Sequence, residues 1–297
     1  MRSHLTLVLL LCLPAPAAAQ ELTKTVGAVR FRIDTRFAHP GGLLVARLQS
    51  SRYLGTTYAI LDGQRCLFYA APGGPRAFVP IPVTATPGPA TLGVEIRARR
   101  GRQRIPLDVS IEARAYPSAS ILVPDDKRSL LAAPSALRDG RRLLAVLRSE
   151  TPEAAWSGSL ESPVHALPGV GFGRPTTYLG AARVESLMDS VHGEQHRGLD
   201  YPVPVGTTVL APAGGTVLLA EHLTLTGETL ALDHGQGLVS IFYHLSRLDV
   251  RVGERVAGRA AIALSGDTGV AADPHLHWGV YLHGVAVDPQ VVAALLD

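Results

Sequence analysis

Five residues in the second half of the chain have the types and the spacing of a metal site with acid–base groups beside it. They are His196 and Asp200 in "HRGLD", His244 at the end of "LVSIFYH", and His275 and His277 in "HLHW". Zinc binds imidazole nitrogen and carboxylate oxygen at roughly 2.0–2.2 Å, in a roughly tetrahedral shell. Three such ligands leave the fourth position for water, so two histidines and one carboxylate predict a catalytic metal site and not a structural one.

The chemistry of such a site would be hydrolysis. Zinc lowers the pKa of its bound water from about 15.7 towards about 7, which makes hydroxide available at neutral pH. The two histidines that are not ligands would stand beside this water, where they can take its proton or stabilise an oxyanion. The spacing alone leaves open which histidines are the ligands.

Strands must position these side chains. Residues two or four apart point to the same face of an extended chain. We therefore expect the two polar residues of "HRGLD" to share a face, and the two histidines of "HLHW" to project together. Three strands that each present such a group on one side of a sheet can converge on one point. Tyr243 alternates with His244, so we expect it to face the opposite side and pack in the core.

The second half of the chain has the pattern of an all-β domain, which we assign to residues 166–297. Segments such as "GTTVLAP", "GGTVLLAEHL" and "LVSIFYHL" alternate with glycine-containing turns, and a helical pattern appears in "PQVVAALLD" at the C-terminus. Short strands bounded by turn residues are typical of antiparallel sheets. We interpret the insertion at 176–195 as a loop beside the groove, with His192 in solvent.

The first half predicts a different β domain, over residues 21–115. Seven or so short segments with a period near two indicate an antiparallel, immunoglobulin-like sandwich without metal-ligand spacing. Residues 116–165 change character, with helical stretches around 127–132 and 135–149. Ser135 could cap the second helix, because its hydroxyl can accept a hydrogen bond from a free backbone amide. We interpret 116–165 as a partly helical linker.

Residues 1–20 have the pattern of a secretory signal peptide. Arg2 precedes the apolar run "LTLVLLLCL", and "PAPAAAQ" offers small residues for cleavage after Ala17 or Ala19. We therefore expect an exported protein of the periplasm or cell envelope, or a secreted one, without an integral membrane segment once the signal is removed. Export would leave Cys66 as the remaining cysteine, and we expect it to be buried as a small apolar residue.

The charge balance argues against nucleic acid as a partner. There are 28 Lys and Arg against 25 Asp and Glu, for a formal net charge of +3. Such a small excess, scattered along the chain, does not make the basic surface that a polyanion requires. The dense cluster "RARRGRQR" falls on a predicted hairpin turn at 100–101, which makes it a solvated tip.

The second domain resembles the lysostaphin-type zinc metallopeptidases, also called LytM-type peptidoglycan endopeptidases. The resemblance rests on "HRGLD", "FYHL" and "HLHW" in the family's order, and on supporting stretches such as "FGRP", "PVPVGTTVLAPAGGTV" and "GDTGVAADPHLHWGVYLHGVAVDP". It covers residues 166–289. It implies an all-β chain in which an immunoglobulin-like β-sandwich precedes a lysostaphin-type antiparallel β catalytic domain, a duplicated hybrid motif.

The resemblance also implies roles for the five residues. His196, Asp200 and His277 would hold one Zn2+ per chain. His244 and His275 would be catalytic, one as general base on the metal-bound water and both stabilising the tetrahedral intermediate. Which of the two is the base stays open. The implied function is that of an exported zinc metalloendopeptidase that hydrolyses peptide cross-links in the peptide stems of peptidoglycan during cell-wall remodelling.

Two other functions compete with this one. A non-catalytic LytM-like regulator would activate a cell-wall amidase, but such domains have lost metal ligands, and here all five positions are filled. An iron(II) oxygenase uses the same kinds of ligand, but usually places its carboxylate two residues after the first histidine. The sequence leaves open whether D-Ala-to-diaminopimelate links or glycine bridges are cut. It also leaves open whether the N-terminal domain binds the wall, docks a divisome or wall-enzyme partner, or forms a lid.

Overall fold

The computed structural model describes residues 21–50, 55–98, 101–131, 133–179 and 195–296. The predicted signal peptide and His192 lie outside these residues. The fold is mostly β, with 48% of residues in strands and 10% in helices. This confirms the predicted fold class, in which antiparallel sheets dominate both halves of the chain.

Two four-stranded sheets form the N-terminal sandwich, and every strand pair in them is antiparallel. One sheet contains, in order, β1 (Glu21–Val26), β2 (Val29–Asp34), β3 (Leu43–Ser50) and β6 (Arg76–Pro80), and the other contains β5 (Gln64–Leu67), β4 (Thr56–Leu61), β7 (Gly88–Ala98) and β8 (Gly101–Ile111). Alternate residues of β2 and β8 are buried between the sheets. Cys66 is buried there as predicted. The β7–β8 ladder ends with Ala98 paired with Gly101, and residue 100 of the predicted turn lies outside the described residues.

A connecting segment follows the sandwich. It contains β9 (Ala119–Leu122), a 3-10 turn (Asp125–Lys127), and helices α1 (Arg128–Leu131) and α2 (Ser135–Val146). Strand β9 pairs in parallel with β10 (Thr176–Leu179), so the predicted 176–195 loop begins as a strand.

The prediction that Ser135 caps α2 is wrong. The residue before the helix is Pro134, and no side chain caps this end. The Ser135 hydroxyl instead accepts a hydrogen bond of 2.7 Å from the hydroxyl of Thr224. A tertiary contact with the second domain has therefore taken the group that the local pattern assigned to the helix.

The C-terminal domain is built on one nine-stranded sheet. Its strands are β11 (Leu199–Tyr201), β12 (Thr208–Leu210), β13 (Gly215–Leu223), β14 (Gly227–Gly235), β15 (Leu238–Leu248), β16 (Arg255–Val256), β17 (Ala261–Ser265), β18 (Leu276–Leu282) and β19 (Val285–Val287), followed by helix α3 (Pro289–Leu296). The main path runs β11-β18-β15-β14-β13-β16, with β17 joining β12 to β15 and β19 beside β18. The central strands β15 and β18 are buried on both faces over most of their length.

The sandwich packs against one end of this sheet. Leu43 and Phe78 of the sandwich share a continuous hydrophobic cluster with Leu238, at the start of β15, and Leu282, at the end of β18. A guanidinium nitrogen of Arg114 lies 3.3 Å from a carboxylate oxygen of the buried residue before α3. A few residues of the sandwich therefore belong to the core of the second domain, while the sandwich keeps a separate core between its sheets. Among the described residues, no helix has the length and hydrophobicity to cross a membrane.

Candidate metal centre

Three of the predicted site residues bring their donor atoms together. His196 Nε2 lies 3.0 Å from Asp200 Oδ1 and 3.1 Å from His277 Nδ1, and His277 Nδ1 lies 2.8 Å from Asp200 Oδ1. Within the described ranges, this is the group of histidine, cysteine and carboxylate side chains that could hold a metal ion.

The donor set fits a small divalent cation. Ligand atoms at roughly 2.0–2.2 Å from a tetrahedral ion are separated from each other by about 3.3–3.6 Å. The three donor atoms here are 2.8–3.1 Å apart, so small outward shifts would place them around an ion. Two imidazole nitrogens and one carboxylate oxygen direct their lone pairs into the same small volume. These lone pairs repel one another unless a proton or a cation lies between them.

His196 reaches this centre from a loop and not from a strand. It precedes β11, and a bend at Gly198 separates it from Asp200 on the strand. The same-face argument for "HRGLD" is therefore wrong, although the two side chains do converge. His196 Nδ1 donates to the carbonyl oxygen of Gly171 at 2.9 Å, which leaves the lone pair of Nε2 for the centre.

Gly198 is required by close packing at this bend. A Cβ at this position would lie 2.5 Å from the carbonyl oxygen of Trp278 and 2.7 Å from Nε2 of His277. Across the β11–β18 ladder Asp200 is the direct partner of His277. The glycine thus lets the first motif approach the strand that carries His277.

Tyr243 also borders the site, which corrects the prediction that it faces the other way. Its ring stacks on His277 with centroids 4.7 Å apart and planes 6° from parallel. The reason is His244, whose φ of +60° is left-handed and interrupts the alternation of β15. Because of this irregularity, Tyr243 and His244 both reach the cleft. The alternation of residue types along the sequence could not reveal a left-handed backbone conformation at His244.

His244 and His275 lie side by side next to the three donors. Their ring centroids are 4.7 Å apart. His244 Nδ1 donates to the carbonyl oxygen of Thr268 and His275 Nδ1 to that of Asp273, each at 2.8 Å. Both rings are thereby held as tautomers whose Nε2 is an acceptor. The structure therefore brings all five predicted residues together, and their individual roles stay a prediction.

The charges at the centre depend on burial and on one carboxylate. Burial favours a neutral Asp200, but the adjacent His196 and His277 outweigh it and hold the pKa of Asp200 well below its ordinary value. Burial lowers the pKa of His277 despite the same carboxylate. Burial, and then the neighbouring His275, hold the pKa of His244 well below its ordinary value. Both directions favour the neutral form of His244 and His277 at pH 7.

A cleft of about 260 Å³ opens over the five residues. Its further lining includes Gly169, Val170, Arg197, Pro202, Leu225, Val270, Ala272, Asp273, Pro274 and Tyr281 from the second half of the chain. Ile121 and Leu131 of the connecting segment also line it, whereas no described residue of the sandwich does. Ile121 and Leu131 carry no sequence signal for a place in the cleft, because no local pattern predicts that β9 pairs with a strand more than fifty residues later.

Comparisons with known proteins agree with this geometry. Residues 194–289, which include all five candidate residues, match the model of Peptidase family M23. An uncharacterized metalloprotease of Haemophilus influenzae is 41% identical over 98 residues, which are 33% of this chain and 21% of that protein. The peptidoglycan DD-endopeptidase ShyA of Vibrio cholerae is 32% identical over 93 residues, which are 31% of this chain and 22% of that protein. The matched region thus spans less than a quarter of each of these two relatives.

A solved structure extends the similarity to both halves of the chain. The crystal structure of a candidate M23 peptidase from Pseudomonas aeruginosa has a TM-score of 0.63 and 29% sequence identity. The alignment covers 86% of this chain and 95% of that one, so it includes the sandwich and the connecting segment. With the family match and the arrangement of the five residues, this shows that the C-terminal part of the chain is a domain of peptidase family M23.

Proposed function

We propose that this protein is an exported zinc metalloendopeptidase that hydrolyses peptide cross-links of peptidoglycan. The observation that carries the proposal is the arrangement of five side chains in the M23 domain. Three donor atoms lie within 3.1 Å of one another, and two histidines with acceptor nitrogens stand beside them. The predicted signal peptide supports export.

His196 Nε2, Asp200 Oδ1 and His277 Nδ1 would hold the zinc ion. Nitrogen and carboxylate oxygen in a shell with one open position suit zinc in a catalytic site. Bound there, Zn2+ would polarise the scissile carbonyl group and lower the pKa of a neighbouring water from about 15.7 to about 7. Tyr243 holds the His277 ring from behind by stacking on it.

The proton transfers are assigned to His244 and His275. As the water oxygen bonds to the carbonyl carbon, the Nε2 of one histidine accepts the water's proton. When the C–N bond breaks, a proton passes to the leaving amine nitrogen, so that the products are a carboxylic acid and an amine. An imidazole whose Nε2 has taken up a proton would donate a hydrogen bond to the carbonyl oxygen as negative charge develops on it. His275 Nε2 is 3.8 Å from Asp200 Oδ1. A water and a carbonyl group held beside Asp200 would therefore lie within reach of His275.

The peptidoglycan substrate is proposed from the relatives. The Vibrio protein is named a peptidoglycan DD-endopeptidase and is similar to this chain over 93 residues, and the family match at 194–289 includes all five candidate residues. We therefore favour D-Ala-to-diaminopimelate links over glycine bridges. The regulator alternative is less well supported, because this chain retains every ligand and both histidines that hydrolysis requires.

The test is digestion of purified sacculi by the mature protein loaded with zinc, with the released muropeptides identified by mass spectrometry. We expect cross-linked dimers to be converted to monomers, and we expect His196→Ala to abolish this conversion. A normal zinc content without any cleavage, together with stimulation of an amidase, would favour the regulator. An identical muropeptide profile for wild type and His196→Ala would refute the peptidase proposal.

A further inference from the structure

One wall of the cleft comes from outside the M23 domain. Ile121 on β9 and Leu131 at the end of α1 line the same cleft as the five site residues. Leu225 and Val270, from two loops of the M23 domain, complete this apolar wall. The connecting segment is therefore part of the surface that a substrate would meet.

Packing holds this wall in place. Leu131 and Leu225 belong to a small buried cluster, separate from the main core, with Val123 and Ala136 as its other fully buried members. Val270 packs against the same cluster. Because the members come from the connecting segment and from both loops, the cluster joins the segment to the M23 domain next to the cleft.

Hydrogen bonds reinforce this attachment at its two ends. Asp139 of α2 accepts from the backbone amide of Thr224 at 2.9 Å and from its hydroxyl at 2.6 Å. Lys127 donates to the carbonyl oxygen of Asp267 at 3.3 Å. The connecting segment thus contacts both loops by polar as well as apolar groups.

The same two loops orient a candidate catalytic histidine. The backbone amide of His244 donates to the carbonyl oxygen of Thr226 at 2.8 Å, and its Nδ1 donates to that of Thr268 at 2.8 Å. Thr226 is next to Leu225, and Thr268 is two residues from Val270. The two loops that carry the apolar wall therefore also hold one of the two candidate catalytic histidines, His244, in place.

We propose that Ile121 and Leu131 form a specificity subsite for a small alkyl side chain beside the scissile bond of the peptide. The inference rests on the proposed function and names a part of its substrate recognition. An alkyl group that packs against Ile121 and Leu131 buries apolar surface, which is favourable. A charged group placed there would lose its hydration without gaining a partner, which is unfavourable. The methyl group of an alanine residue in a peptide stem has the right chemistry and a size that suits so small a cleft.

Strand β9 offers a matched control. Ile121 is half-buried and faces the cleft, whereas its neighbour Leu122 lies on the other face of the strand with 64% of its surface exposed. The substitutions Ile121→Asn and Leu122→Asn each replace one apolar residue of the same short strand. A general effect on β9 would appear in both variants, while a subsite effect would appear in the first alone.

The experiment measures kcat and KM of the zinc-loaded, full-length mature protein on purified cross-linked muropeptide dimers. One apolar contact in a pocket is worth about 10- to 200-fold in discrimination, so we expect Ile121→Asn to lower kcat/KM about tenfold, mainly through KM. Leu122→Asn should stay within about twofold of wild type, and Ile121→Val should retain most of the activity, because its branched alkyl group still fills the subsite. Zinc content and the midpoint of thermal unfolding should not differ among the variants.

A second measurement separates this inference from the proposed function. Binding of the same dimers to His275→Ala protein, followed by isothermal titration calorimetry, requires no cleavage. Weaker binding when Ile121→Asn is added, with no change for Leu122→Asn, would support the subsite even if wild type cut nothing. Equal loss in both variants, an unchanged KM for Ile121→Asn, or no binding of the dimers would overturn it.

Discussion

The two β domains of this protein differ in how many polar side chains they bury. Among the described residues, the sandwich buries two polar or charged side chains, Thr57 and Glu95, whereas eleven are buried between Thr226 and Asp288. In the sandwich, strands such as β2 and β8 alternate between core and solvent, so polar residues point outward. In the M23 domain, β15 and β18 are buried on both faces, and polar residues along them have no solvent face.

The partners of these buried groups show what the difference means. Glu95 in the sandwich lies between three arginines, the nearest at 3.0 Å, and each of these arginines is partly exposed. It is a neutralised group at the edge of a core. His244 and His277 instead each present a ring nitrogen to a cleft. Burying a polar group costs free energy unless the group is hydrogen-bonded. A buried polar side chain with a ring nitrogen facing a cleft is therefore a candidate for binding or catalysis.

Other buried polar residues of the M23 domain have structural partners. Asp233 accepts hydrogen bonds from the hydroxyls of Ser149 and Thr151 at 2.8 and 2.9 Å, which ties the connecting segment to strand β14. Its neighbour His234 donates a 2.7 Å hydrogen bond from Nδ1 to the carbonyl oxygen of Gly214. Burial alone therefore does not distinguish site residues from structural ones. The candidate site residues are those that are polar and also line the cleft.

The largest effect should come from removing a carboxylate at the metal centre. Asp200→Asn removes the charged ligand, and a catalytic metal supplies several kcal/mol of transition-state stabilisation, so hydrolysis of sacculi should fall by about a thousandfold or more. The matched control is Asp108→Asn on an exposed position of β8, which should change nothing. Zinc content measured by mass spectrometry checks the cause. If Asp200→Asn bound zinc and cut as well as wild type, the site assignment would be wrong.

A cavity in the sandwich should affect stability and leave the site intact. Leu107 is fully buried between the two sheets, so Leu107→Ala should lower the free energy of unfolding by about 2–5 kcal/mol. Because no described residue of the sandwich lines the cleft, zinc content and kcat at 25 °C should stay near those of wild type. Urea unfolding and a steady-state assay test both parts. A loss of kcat in the folded variant would mean that the two domains are coupled more closely than their packing shows.

The smallest of the three effects should come from crowding the bend before β11. A Cβ at Gly198 would lie 2.5 Å from the Trp278 carbonyl oxygen and 2.7 Å from His277 Nε2. Gly198→Ala must therefore shift a ligand, and changes of this kind cost roughly 10- to 100-fold in metal affinity. Gly171→Ala is the control in the same region, because a Cβ there would meet no atom within 4 Å. Competition with a zinc chelator measures the affinities, and equal values for the two variants would contradict the prediction.

The sequence by itself determined the strand content and predicted five candidate site residues, which the structure brings together. Alternation with a period of two is a local property of the chain, so the sandwich strands and the burial of Cys66 followed directly from it. The three motifs were also recognisable locally, because metal binding and proton transfer require particular side chains. The same locality explains three errors: the cap assigned to Ser135, the same-face argument for "HRGLD" and the expected orientation of Tyr243.

The tertiary structure decided how these residues meet and what surrounds them. Pairing across β11, β18 and β15 places Asp200, His277 and Tyr243 next to one another, and the left-handed φ of His244 turns it and Tyr243 to one side. Parallel pairing of β9 with β10 carries Ile121 into the cleft, while the sandwich packs at the far end of the sheet. Contacts between residues distant in sequence depend on the whole packed core, and no short pattern in the chain encodes them.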